Sequence, residues 1–552
     1  MAHVLAAPLA APRRGNPLAL QAFVSAAILL VATLGIPRTA VAEPTPRLDL
    51  PAGLDPSLVI DLHLQRGWDA HGITPSPPAD DRTFLRRLSL DALGRVPTPA
   101  EMQEFLAHPD PARRDRWIDR LLADPGHARH LAELFDVMLL GRPEGRRAAA
   151  PPNEPWRQYL VEAFAANRSW QAMARDMVLA RSTDQTDVRA SWFLYARRNE
   201  YQTIAESVAP SFFGIRIECA QCHDHPLASE IQQGHYWGLV AFFNRGKNED
   251  TAAGPRVLES SVGGFQKFTD LAGDSHETRL TFFESPVVDE ARLPDDLKDS
   301  PERFDPSRGS EPAVPKFSRR QQFVDRILLE HPLLARALVN RLWATYLGRG
   351  LVHPVDRMDS VHPASHPELL DWLSDDFRRS GYDIRRLTRA LLRTRAYQLS
   401  SLPPSRDALP EHFAHGLSKP LTAEQLARSW AVATSGAAND ELPELLGSFQ
   451  KAFPDVLPES PQSSPAQALL LSNHAAMSER IRQSPLLRQA IAETDNRLAT
   501  QTLFATVLGR EPDPQELQHA TAYLEARRDA RQRAMESLLW SLLASAEFYI
   551  NH

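Results

Sequence analysis

This chain of 552 residues has only two cysteines, and both stand in one pentapeptide, Cys219-Ala220-Gln221-Cys222-His223. Thiols three positions apart fall on one side of a helical turn, and the histidine that follows can reach a metal held beside them. This is the spacing of c-type haem attachment: Cys219 and Cys222 add to the haem vinyl groups, and His223 supplies the proximal axial ligand. Two other chemistries use the same residues. A disulfide in an oxidising compartment needs only that the thiols be close, and a non-haem metal such as zinc needs two thiolates and a histidine. No other cysteine dilutes the motif, so haem c is the leading cofactor and zinc the alternative. His225 is too near in sequence to swing to the opposite haem face and reads as a structural neighbour. For the sixth position the candidates are Met138, Met173, Met177, His235 and Met358. Methionine ligation would raise the potential and favour electron transfer, although each methionine also suits a helical core.

The second half offers polar residues with structural readings. Around Arg336–Trp343, Leu334, Leu338 and Leu342 form an apolar stripe, with Arg336 and Asn340 on another face. Arg341 is expected to pair with Asp356 or Asp359, and His353, His362 and His366 gather near the Gly348-Arg349-Gly350-Leu351-Val352 turn. The chain has no G-x-S-x-G, H-E-x-x-H or phosphate-binding glycine loop. The sequence thus assigns no catalytic residue.

Location agrees with the haem reading. Arg13 and Arg14 precede an uncharged run, Leu18 to Ile36, and Ala40-Val41-Ala42 makes a small-residue cleavage site. The expectation is an exported protein of the periplasm or cell envelope, with residues 1–42 as signal peptide; an uncleaved anchor is the other reading, since the run is about long enough to span a bilayer. The net charge is −7, and loss of Arg13, Arg14 and Arg38 with the leader brings it to −10. That balance excludes a nucleic-acid binder, which needs a basic face. After the leader no stretch reaches membrane-spanning length. An exported redox partner or an envelope polymer is the expected partner.

The elements that must position the motif are helical. Capping boxes, in which a side-chain oxygen and a later Glu or Gln satisfy free amides, occur at Thr98-Pro99-Ala100-Glu101, Ser365-His366-Pro367-Glu368, Thr422-Ala423-Glu424-Gln425 and Asp513-Pro514-Gln515-Glu516. The 45 prolines against 25 glycines point to helices joined by proline-marked turns. Arg279–Phe283 reads as a strand inside an irregular stretch. The fold class is therefore mainly α: a helical domain at 55–247, an irregular linker with a small β insertion at 248–316, and a second helical domain at 317–552. Leu93 to Glu101 echoes Leu508 to Glu516, which predicts for both a buried leucine, a proline-marked turn, a helix starting at Pro99 or Pro514, and a glutamate folded back on its cap.

The runs Ala79-Asp80-Asp81-Arg82, Leu85-Arg86-Arg87-Leu88, Val96-Pro97-Thr98-Pro99 and Glu218 through Pro226 resemble the exported, cytochrome-like planctomycete family known as domain of unknown function 1549. Leu333 through Trp343, Gly348 through Val352, Ser365 through Leu373 and Gln467-Ala468-Leu469 are similar to its usual partner, domain of unknown function 1553. The resemblance covers nearly the whole mature chain and implies no established activity. Where the family pattern has an aromatic and an aspartate after His-Asp-His-Pro, this chain has Leu227-Ala228; where it has an aspartate before a tyrosine, this chain has His235-Tyr236. The functional classes left are electron transfer, a haem-dependent redox step, and a non-enzymatic binding or scaffold role with the cysteines as a disulfide or metal clip.

Overall fold

Proline opens many of the helices. Pro56, Pro99, Pro125, Pro332, Pro367, Pro443, Pro485 and Pro514 each stand in the first turn of one, where the missing amide has no intrahelical partner to lose and φ is already helical. The computed structural model describes residues 53–552 apart from 143–153, 182–185, 252–253, 295, 307–311, 439–441, 454–455, 458–463, 465–466, 468 and 472–473. The leader, with Arg13, Arg14 and Ala40-Val41-Ala42, lies outside the described residues, as does Ala468.

Helices of eight or more residues, in chain order, begin with α1 Pro56–His71, α2 Asp81–Leu93, α3 Pro99–Ala107, α4 Arg113–Ala123 and α5 Pro125–Leu140. Next come α6 Glu154–Ala165, α7 Trp170–Leu179, α8 Tyr201–Val208 and α9 Gln233–Phe243. The second half carries α10 Pro332–Leu347, α11 Pro367–Arg379, α12 Ile384–Arg393, α13 Ala423–Ser435 and α14 Pro443–Ala452. It finishes with α15 Ala475–Gln483, α16 Pro485–Ala492, α17 Asn496–Val507, α18 Pro514–Glu525 and α19 Arg531–Leu543. The described strands form only two-stranded antiparallel ladders: β1 Gly246–Thr251 with β2 Gly254–Glu259, β3 Lys267–Thr269 with β4 Ser275–Glu277, β5 Phe304–Asp305 with β6 Val314–Pro315, and β7 Lys419–Pro420 with β8 Ile550–Asn551. The fold is mainly α. Arg279–Phe283 is not a strand: only Leu280 pairs, with Val288, because the run lies against α9 instead of beside another extended segment.

One buried apolar cluster takes in side chains from Ile60 to Ala414, so both halves of the sequence contribute to a shared core. A second runs from Leu421 to Tyr549 and also includes Leu90 and Val96. Between the two clusters sits a buried polar knot. Asp91 accepts from Lys419 Nζ (2.7 Å), Asn551 Nδ2 (2.8 Å) and the Tyr397 hydroxyl (2.9 Å), while Lys419 Nζ also donates to the carbonyls of Thr345 and Tyr346. Arg87 donates to the carbonyls of Tyr397, Leu399 and His552.

The echo is structural. Leu93 and Leu508 are buried, α3 and α18 start at Pro99 and Pro514, and the Glu101 and Glu516 carboxylates accept from the amides of Thr98 (2.7 Å) and Asp513 (2.8 Å). Each copy also contains a device the sequence reading missed: Arg95 grips Glu101 with both guanidinium nitrogens, as Arg510 grips Glu516. Such a bidentate pair holds the turn in one geometry. The first Gly of each copy, Gly94 or Gly509, has φ of +67° or +75°, which glycine adopts at little steric cost.

Ser365 does not cap α11. Its hydroxyl and amide both donate to the Leu351 carbonyl, at 3.2 and 2.8 Å, and His366 occupies the cap position without a side-chain cap bond. The serine ties the preceding loop down instead, whereas Thr98, Thr422 and Asp513 cap as expected.

Candidate functional site

Cys219 lies in a single 3₁₀ turn, Glu218–Gln221, with Cys222 at its C-cap. The two cysteines are three positions apart, the spacing at which residues of a 3₁₀ turn come into line. Both are free and exposed, while Ala220 between them is fully buried and anchors the turn. The turn is braced from α9: Trp237 Nε1 and Gln233 Nε2 donate to the Gln221 carbonyl at 3.1 and 3.2 Å, and the Gln233 amide donates to Asp224 Oδ1 at 2.8 Å.

The two histidines play opposite parts. His223 Nδ1 donates to the Asp224 carbonyl at 2.7 Å, a contact that places the proton on Nδ1 and leaves the Nε2 lone pair for a metal. His225 Nδ1 instead accepts from the amides of Ala228 (2.8 Å) and Leu227 (3.3 Å), so its Nε2 carries the proton and the ring is a turn clamp. His235 Nδ1 likewise accepts, from the Gln232 amide at 3.2 Å, and burial pushes its pKa down. The donor set therefore suits a group that takes two thiols and one imidazole. Beneath the turn, burial, with Glu206, Glu218 and Cys222 alongside, pushes the Tyr236 phenol well up; its hydroxyl donates to Glu206 Oε1 at 3.0 Å.

The second half holds this region from the other side. Met358 N donates to the Gly214 carbonyl at 2.8 Å, Arg216 Nε pairs with Asp356 at 2.7 Å, and Ser360 donates to Glu230 through its amide and hydroxyl at 2.7 and 2.9 Å. Asp356 thus goes to Arg216, and Asp359 goes to His362. Arg341, expected to take one of them, donates to the carbonyls of Pro210 and Ser211. The reason is local: the π turn at Ala209–Phe213 leaves buried carbonyls that a guanidinium can serve.

The methionine candidates have packing roles. Met173 and Met177 are fully buried in the shared core, Met138 packs against it, and Met358 lies in the space a Cβ on Gly214 would need. The three second-half histidines do not converge: His362 pairs with Asp359, His366 packs on Phe413, and His353 lines a separate cavity. Among the described residues no three His, Cys, Asp or Glu side chains gather as a metal-holding group, and no helix is long and apolar enough to cross a membrane.

Gly238 explains how closely α9 can approach the 279–281 segment. A Cβ there would lie 2.3 Å from the Thr281 carbonyl oxygen and 2.9 Å from that of Arg279. In an open helix Gly→Ala gains about 1 kcal/mol; here Gly238→Ala should lose about 2 kcal/mol, because overpacking against backbone displaces α9. Urea unfolding measures the sign, and a stabilised variant would refute the close approach.

Fold and turn together define a mainly helical protein that carries two free thiols and His223 on one braced turn. The chain matches the family model PSCyt2, "Protein of unknown function (DUF1549)", over residues 59–248, and PSD1, "Protein of unknown function (DUF1553)", over residues 319–452. It belongs to this family, with the two domains in that order. No curated protein and no solved structure matches it.

Proposed function

We propose that the protein carries one covalent haem c, bound through Cys219 and Cys222 with His223 as axial ligand, and that it serves electron transfer or a redox step in the cell envelope. The carrying observation is the pairing of two free, exposed thiols on one turn with a histidine whose Nδ1 is committed to a backbone carbonyl. The PSCyt2 label of the first domain points to the same cytochrome-like chemistry, and the leader-like residues 1–42 suit the compartment in which such thioethers form. Haem would supply a one-electron iron centre. The chain's own residues hold its anchors in register: Ala220 buries the turn, Trp237 and Gln233 fix the Gln221 carbonyl, and Asp224 orients His223.

The test is expression in a host that matures c-type cytochromes, followed by intact mass and a pyridine haemochrome spectrum. Wild type should carry one haem mass. Cys219→Ser or Cys222→Ser should lose the two-thioether spectrum, and His223→Ala should keep covalent haem with altered ligation. Wild-type protein with no added haem mass would sink the proposal and return the turn to a disulfide or metal clip.

A further inference from the structure

A cavity of about 310 Å³ opens between the halves of the body, lined by Asp91, His130, Leu134 and Arg216 from the first and by Ala344, Arg349, Val355, Asp356, Leu417, Ser418 and Lys419 from the second. Its volume is at the lower end of the range for small-molecule sites, and its walls mix apolar side chains with a few charged ones, as such sites do. The charges are not balanced. Asp91 pairs with Lys419, and Asp356 with Arg216, which cancels two cations against two anions. Burial, with Arg428 alongside, holds His130 neutral. Arg349 is left over, with no hydrogen-bond or ion-pair partner among the described residues, and so is the Ser418 hydroxyl.

The loop that presents Arg349 is built tightly. Gly348 closes α10 at φ +85°, with a Cβ position 2.9 Å from Leu417 Cβ. On the other side, a Cβ on Gly350 would lie 2.2 Å from the Val352 carbonyl oxygen. Fully buried Asn340 then grips Val352 twice, donating Nδ2 to its carbonyl at 2.8 Å and accepting its amide on Oδ1 at 2.9 Å. The Gly-Arg-Gly motif thus holds one unpaired guanidinium on a fixed loop beside a cavity in which Asp91 is paired with Lys419 and Asp356 with Arg216. A guanidinium in such a place matches a planar carboxylate, and the partly apolar surroundings strengthen the attraction.

We propose that this cavity binds a compact, largely apolar monocarboxylic acid, with the carboxylate on Arg349 and the body against Leu134, Ala344, Val355 and Leu417. The proposal does not depend on haem.

Sodium 4-hydroxybenzoate, titrated into the purified full-length protein by calorimetry, tests it, with neutral 4-hydroxybenzamide as the comparison. The acid should bind with a Kd below about 1 mM and raise the thermal midpoint, and the amide should do neither. Arg349→Gln should weaken binding at least about tenfold, with Arg349→Lys between. Leu417→Trp, which fills the apolar wall, should block binding while the circular dichroism spectrum stays unchanged. No heat with the acid, equal affinity in Arg349→Gln, or equal affinity for the amide would each overturn the proposal.

Discussion

Replacing Asp91 with alanine should destabilise the protein by about 4 kcal/mol, because it strands a buried ammonium group. Lys419 Nζ would keep only the Thr345 and Tyr346 carbonyls, while the Tyr397 hydroxyl and Asn551 Nδ2 would lose their acceptor. The large value does not mean that the ion pair is strongly favourable. Burial pushes the Asp91 pKa up and the Lys419 pKa down, each toward its neutral form, so desolvation opposes most of the attraction. Removing both charges should therefore hurt less than removing one. Asp91→Ala with Lys419→Met is expected to recover a substantial part of the loss in urea unfolding. A double variant as unstable as the single one would show that Asp91 acts through Tyr397 and Asn551 and not through the lysine.

His127 should make the fold sensitive to acid. Its Nδ1 donates to the Ala92 carbonyl at 2.9 Å, and burial pulls its pKa down from 6.5 to about 4. The folded protein holds the ring neutral while the unfolded chain takes up a proton, so this contribution is present above about pH 6.5 and is lost as pH falls toward 4. The full span corresponds to about 3 kcal/mol at ~1.4 kcal/mol per unit. Asp61 and Asp176 act in the opposite sense. Burial raises both to about 6, so the folded state binds their protons first and gains stability over part of the same interval. The informative measurement is accordingly a difference: the stability of wild type minus that of His127→Asn should shrink as pH drops from 6.5 to 4. A constant difference across that interval would remove His127 from the acid response.

Local features of the fold were legible in the sequence, and distant pairings were not. Thr98, Thr422 and Asp513 cap helices because a cap is satisfied within four residues, and Cys219 and Cys222 fall at one short turn because they stand three residues apart. Ser365 had the same local pattern, yet its hydroxyl found the Leu351 carbonyl across the fold. Arg341 failed as a prediction for a similar reason: charge complementarity pointed to Asp356 or Asp359, while the buried carbonyls of Pro210 and Ser211, some 130 positions away, had the stronger need. The strand expected at Arg279–Phe283 had suitable residues but met a helix at Gly238 instead of a strand partner. At the candidate site, the tautomers of His223 and His225 were beyond the sequence, since each depends on whether a carbonyl or an amide faces Nδ1.

The knot at Asp91 has a consequence for how a nascent chain matures. Asp91 and Asn551 are separated by 460 positions, and contacts of such span form late, after the cost of closing the loop between them has been met. A chain that has emerged through Lys419 already carries both charges of the pair but lacks the amide and the β8 strand that cover them. During synthesis the joint between the two apolar clusters thus stays open to water, and to proteases, until residue 551 arrives. The arrival of Asn551 is in this way read out as burial of a single carboxylate.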